Sequence, residues 1–336
     1  MWYFPGRGGR QSLHVPRCPF AQPAVRFSLP QPATLLHGVQ NATAFGLACP
    51  QQALSALALP VTLPDEGIVS EDCLKLNVFA SSLRMRPRQM PSSQFSSPTR
   101  RFRNRKRTGH GRATRGRAFH LHCILNPAFG CLAGKEVGDE GITNIGLRDQ
   151  IFALKWVREH IGAFGGDAAR VVIGGPSVGA ISAALLLLDN KQFKPSALFR
   201  GPFMSSGSPV TTGSVADGQP HYDELIRANP LHGFGRHARV PENIWRPRVD
   251  GDVLVHNPLV SVSKGLYAKV PFMTGDADDD GTLFSPSNTN ITWVGFFHGF
   301  TWDLTRWYWT DEEFVGYIYP FQMKQPTLLR RDLDID

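Results

Sequence analysis

Eleven residues constrain this chain more than any others: Arg170-Val171-Val172-Ile173-Gly174-Gly175-Pro176-Ser177-Val178-Gly179-Ala180. A β-branched run breaks into Gly-x-Ser-x-Gly and then into an alanine-rich stretch, which is the order strand, sharp turn, helix. Gly175 and Gly179 lack a Cβ where the strand has to turn, so Ser177 can be held in a strained conformation with its hydroxyl facing outward. Val178 then offers a backbone N–H at the start of the helix, one half of an oxyanion hole for acyl transfer. Small residues around a serine also occur in ordinary tight turns. The flanking strand and helix are what favour the nucleophilic reading.

Other segments, collinear with this one, share its affinities. Upstream stand Asn144-Ile145-Gly146-Leu147-Arg148-Asp149-Gln150, a helix ending at Ile161, and Gly162-Ala163-Phe164-Gly165-Gly166-Asp167. Further away are Pro19-Phe20-Ala21-Gln22-Pro23, Ser70-Glu71-Asp72-Cys73-Leu74-Lys75-Leu76-Asn77-Val78, and Gly275-Asp276-Ala277-Asp278-Asp279-Asp280-Gly281-Thr282. Together they resemble the type-B carboxylesterase and lipase family, the cholinesterase-like α/β-hydrolases, in a fungal-type member. The resemblance implies an α/β-hydrolase fold: a central, mostly parallel sheet flanked by helices, here lacking C-terminal elements and part of the N-terminal sheet. It implies one domain over residues 12–336, interrupted by a disordered basic insert at 81–117.

The same resemblance assigns roles. Ser177 would be the nucleophile and Val178 N–H an oxyanion donor. Asp280 stands where the family usually carries glutamate as the triad's acid. An aspartate can hold an imidazole in the right tautomer, although its side chain is one methylene shorter. The alternative for Asp276 to Asp280 is an acidic loop or a loose cation site. Cys49 and Cys73 would form the family's first disulfide, the alternative being two free buried thiols. No cysteine follows Cys131, so a second family disulfide is not expected. Of the eleven histidines only His298 follows Asp280, too soon after it to match the family's histidine segment, which comes later than this chain extends.

The formal net charge of +8 suggests nucleic-acid binding until it is located. Residues 84–117 hold twelve Lys or Arg and no Asp or Glu; with those twelve taken from +8, the remainder balances at −4. Phe102 is the sole aromatic among residues 100–117, so stacking on bases has little to work with and no specific nucleic acid is expected. From Ala80 to about Arg117 the chain is Ser-, Pro- and Arg-rich without helical or strand period, a composition that cannot bury enough apolar surface to order itself. Within it, Gly109-His110-Gly111-Arg112 falls where the family carries its glycine-rich oxyanion loop, yet reads as part of the basic run.

Elsewhere the periods are clear. Leu74, Leu76 and Val78 alternate as in a strand, and pairing resumes near Phe119. Leu147, Ile151, Leu154, Val157 and Ile161 form one apolar helical stripe, with Arg148, Lys155, Arg158 and Glu159 read as its solvated face. Ala180 to Leu188 reads as a buried helix and Leu198 to Met204 as the next strand. Asp250 and Asp252 read as turn formers beside Gly251.

Asn41 and Asn290 head glycosylation sequons, in keeping with a secretory compartment and with the extracellular location the resemblance implies. Met1 to Gln11 has no apolar core, so no signal peptide is visible, and no run reaches the length of a membrane span. The expected function is hydrolysis of neutral or lipid carboxylic esters through a serine acyl-enzyme, without a cofactor; its substrate partner is a small-molecule or lipid ester. The competing reading, motivated by the missing histidine, is a family member that keeps the architecture without its chemistry.

Overall fold

The strand-forming runs found in the sequence assemble into one sheet. The computed structural model describes residues 12–34, 37–38, 40, 42, 44–50, 69–81, 94–96, 118–121, 130–228 and 246–276. All lie in the first of the chain's two units, Met1–Asp280; the second is Gly281–Asp336. The strands are β1 (Ser12–Pro19), β2 (Lys75–Ser81), β3 (Gln94–Ser96), β4 (Ala118–Leu121), β5 (Val172–Pro176), β6 (Gly201–Ser205) and β7 (Met273–Gly275), in spatial order β1-β2-β4-β3-β5-β6-β7. β1, β2 and β4 pair antiparallel, and from β4 to β7 every neighbour is parallel. The described helices are α1 (Lys135–Asp139), α2 (Ile145–His160), α3 (Val178–Leu185), α4 (Pro195–Leu198), α5 (Gln219–Ala228) and α6 (Pro258–Ser263).

The apolar stripe of α2 is buried along its whole length and shares one core with Ile173 of β5 and with Ala180 and Ala184 of α3. Burying each such Leu, Ile or Val contributes about 1.5–3 kcal/mol. Leu74, just before β2, and Leu76 and Val78 on it are buried as their alternation predicts, and so is Asn77 between the last two. The asparagine is paired: β1 slips register between Val15 and Cys18, Arg17 takes φ 64°, and its N–H donates to Asn77 Oδ1 at 3.0 Å. A side chain thus accepts the hydrogen bond that the bulge withdraws from the ladder.

Four sequence expectations need correction. A strand was not expected between Ala80 and Arg117, yet Gln94–Ser96 forms β3 between β4 and β5; its three residues show no period because a strand that short has none to show. Ala80 and Ser81 end β2, and the other residues of that insert, Gly109 to Arg112 included, lie outside the described residues. Leu198 and Phe199 do not begin β6. Pro195, with its φ preset for a first helical turn, starts α4, and β6 opens at Gly201, where a Cβ would run into the Pro271 carbonyl oxygen. Helix α3 stops at Leu185, and Leu186 to Leu188 continue as tight turns whose N–H groups bond to the carbonyls of Ser182, Ala184 and Leu185. The fourth correction concerns Arg148.

Arg148 is not on a solvated face. Its side chain is 11% exposed and its Nη2 lies 3.4 Å from Asp250 Oδ2 and 2.9 Å from Asp252 Oδ2. Asn144, at the N-cap of α2 with φ 52°, donates to Arg248 O and to Asp250 Oδ2, both at 2.8 Å, and accepts from Arg248 N. Asparagine tolerates the left-handed region better than most residues, which suits it to this corner. Asp250 does form the expected turn, its Oδ1 accepting from Asp252 N and Leu254 N, but its Oδ2 holds the start of α2 as well.

Cys49 and Cys73 are joined, with Cα atoms 5.1 Å apart and a separation of 24 positions in sequence, and the backbone beside them forms a bridge between Ala48 and Val69. Closing a loop of that size restricts the unfolded chain by about 3 kcal/mol. Cys73→Ser is therefore expected to lower the free energy of unfolding by about 3 kcal/mol, read as a shifted urea midpoint under oxidising conditions. An unchanged midpoint would show that the bridge contributes nothing in solution. Cys18 and Cys131 are free and buried, and desolvation pushes both thiols up to about 12, which leaves them inert as nucleophiles.

Candidate active site

Parallel strands β5, β6 and β7 end on one edge of the sheet, and the chain leaves that edge as Ser177, Ser206 and Asp276 in turn. Crevices outside the carboxyl ends of such strands are where open α/β sheets place their ligands. Ser177 stands there with φ 53° and ψ −124°, a conformation L-residues rarely adopt. Its N–H donates to Ser205 O at 2.9 Å, and its carbonyl accepts from Ala180 N at 2.8 Å and Ile181 N at 3.0 Å. The backbone on both sides of the serine is thereby fixed by β6 and by the first turn of α3.

That anchoring leaves the side chain unused. Ser177 makes no side-chain cap to α3, and Pro176, Ser177 and Val178 are all exposed. The elbow therefore presents a hydroxyl flanked by two apolar side chains and no charge. Val178 N–H, at the first helical position, is one of the amides that an α-helix cannot satisfy internally, and the helix dipole adds partial positive charge there. Pro176 costs no sheet hydrogen bond that the turn requires, since the Ser177 N–H makes the contact to β6 instead.

Close backbone approach holds the elbow from behind. A Cβ on Gly174 would meet Phe203 O at 2.6 Å; one on Gly207 would meet Ser177 O and Ala180 Cβ, each at 2.8 Å. Ser206, with φ 55°, donates its N–H to Gly275 O at 2.8 Å and so ties this support to the end of β7. The part that Ser206 and Gly207 play in holding the elbow was not read from the sequence. The run Ser205-Ser206-Gly207-Ser208 was the available signal, small residues being what close approach requires.

Asp280 lies outside the described residues, as do His298, Asn41 and Asn290; the described chain reaches Asp276, one residue past β7. Among the described residues no histidine or carboxylate is hydrogen-bonded to the Ser177 hydroxyl. Burial pushes the Asp149 carboxyl up to about 8, and Gln150 Nε2 is buried without an acceptor among the described residues.

A parallel sheet with a strained Gly-x-Ser-x-Gly turn at its carboxyl edge defines an α/β-hydrolase. A profile of the carboxylesterase family matches residues 17–99 and 128–227, and the chain belongs to that family. It is 32% identical to secreted lipase 1 of Botryotinia fuckeliana over 82% of this chain and 57% of that protein. It is 30% identical to the para-nitrobenzyl esterase of Bacillus subtilis over 81% of this chain and 60% of the relative. Among solved structures, Aspergillus niger EstA superposes with a TM-score of 0.65 at 24% identity, covering 82% of this chain and 58% of that one, a likeness of fold. A PNB esterase superposes with a TM-score of 0.64 at 28% identity, covering 86% and 64%. The chain thus spans less than two thirds of the length of these relatives. Among the described residues no helix is long and apolar enough to cross a membrane.

Proposed function

We propose that the protein hydrolyses neutral carboxylic esters, lipid esters included, through an acyl-enzyme on Ser177. The observation that carries this is the backbone of the elbow, held at φ 53° and ψ −124° with the hydroxyl exposed at the sheet's carboxyl edge. Strain of this kind persists where the surroundings over-determine it, and here it aims a nucleophile. Ser177 Oγ attacks the ester carbonyl, Val178 N–H takes the developing oxyanion, and a histidine receives the hydroxyl proton before delivering it to the leaving alkoxide. Asp280 is the acid that orients it, five residues along the chain from Gly275 at the end of β7. Exposed Pro176 and Val178 beside the serine favour an uncharged ester. Secretion of relatives such as the Botryotinia lipase supports an extracellular setting.

The test is labelling of the purified chain with a fluorophosphonate, with p-nitrophenyl butyrate hydrolysis followed in the same samples. Both signals are expected in the wild type, and Ser177→Ala should lower hydrolysis by about 10⁴-fold or more while abolishing the label. Hydrolysis that survives the substitution would remove Ser177 from the mechanism. A folded wild type that takes no label would mean that the architecture stands here without its chemistry.

A further inference from the structure

A cavity of about 610 Å³ opens beside the start of α2 and shares no lining residue with the serine elbow. Its size lies within the ordinary range for small-molecule sites. Leu29, Val215 and Val249 supply apolar wall, while Arg148, Gln192 and Asp252 supply polar groups. Those three are partnered on one side only. Arg148 Nε donates to Thr143 O at 2.7 Å and its Nη2 faces Asp250 and Asp252, but among the described residues nothing accepts from Nη1. Asp252 Oδ2 accepts from Gln192 Nε2 at 2.6 Å, which leaves Asp252 Oδ1 and Gln192 Oε1 without described donors. Asp250, by contrast, is saturated on both oxygens.

The unused capacity is thus a cationic donor beside an anionic acceptor and a neutral acceptor. A simple anion would face the Asp252 carboxylate, and a simple cation the Arg148 guanidinium. Adjacent hydroxyl groups suit all three partners, since each hydroxyl both donates and accepts, and their carbon skeleton can rest on the apolar wall. The geometry points to a second, non-catalytic site, and we propose that this cavity binds a monosaccharide-sized polyol through Arg148, Gln192 and Asp252.

Saturation-transfer difference NMR on the full chain tests this, with D-glucose, D-galactose and glycerol at about 10 mM each and L-lysine as a zwitterionic comparison, a concentration suited to millimolar affinity. Transfer to at least one of the hexoses is expected, stronger than to L-lysine. It should fall about tenfold in Asp252→Asn and in Gln192→Leu, each of which removes one hydrogen-bonding partner. Gln192 is exposed, so its variant keeps the test valid even if Asp252→Asn loosens the fold. Absence of transfer to the hexoses, transfer unchanged in Gln192→Leu, or L-lysine matching the sugars would each overturn the proposal. Ester hydrolysis plays no part in the readout, so the outcome is independent of the serine chemistry.

Discussion

Asp250→Ala is expected to destabilise the protein by about 3–5 kcal/mol, because it removes one of the two carboxylates facing the Arg148 guanidinium and strips Thr143 Oγ1, Asn144 Nδ2 and the Leu254 N–H of their buried acceptor. One carboxylate holds together two segments distant in sequence. Its Oδ2 accepts from Thr143 Oγ1 and Asn144 Nδ2, both at 2.8 Å, and faces Arg148 at 3.4 Å, while Oδ1 caps the turn to Leu254. The Asp250 side chain is 3% exposed and that of Arg148 is 11%, so water reaches the pair only from the side of the cavity. For a chain of this size the melting temperature should fall by about 4–9 °C. Circular dichroism melts of Asp250→Ala, Arg148→Met and the double variant would measure it, since the pair should cost less than the sum of the singles. A single-variant loss below about 1 kcal/mol, the ceiling of an exposed ion pair, would show that the network is solvated rather than buried.

The second large effect is expected at Gly207. A Cβ there meets Ser177 O and Ala180 Cβ at 2.8 Å and Ile181 N at 3.2 Å, and two of these three are backbone atoms that no rotamer change can move aside. Gly207→Ala should displace the elbow by several tenths of an ångström, enough to slow fluorophosphonate labelling of Ser177 by about 10²-fold. Gly162→Ala is the control, since nothing lies within 4 Å of its added methyl group. Equal labelling rates in the two variants would show that the contact at Gly207 does not position the nucleophile.

How much of this was legible beforehand depended on distance along the chain. The elbow and the α2 stripe could be read because their signals are local: a glycine on each side of Ser177, and buried Leu147, Ile151, Leu154, Val157 and Ile161 at helical spacing. Arg148 was misplaced because a charge in a helix defaults to solvent, and the aspartates that bury it lie 102 and 104 residues further on. The period that identified α2 says nothing about partners so remote. Strand β3 escaped for another reason: Gln94-Phe95-Ser96 has neighbours of the same composition on both sides, and its place is set by β4 and β5 rather than by its own residues. At the elbow, the strained turn at Ser177 and the place of Val178 at the start of α3 could be read from their own pentapeptide. The support from Ser206 and Gly207 could not, because close approach between segments leaves no trace beyond a run of small residues.

The tie between the start of α2 and the turn at Asp250 also sets a timetable. Asn144 leaves the ribosome 104 residues before Arg248, its partner in two hydrogen bonds. At elongation rates of about 5–20 residues per second that interval lasts about 5–20 s. Throughout it the nascent chain carries Arg148 without the aspartates that face it and an asparagine corner without its Arg248 partner, while the elbow helix has already been made. The helix that shares its core with the serine elbow therefore has its N-terminal corner closed only after that late segment has been made.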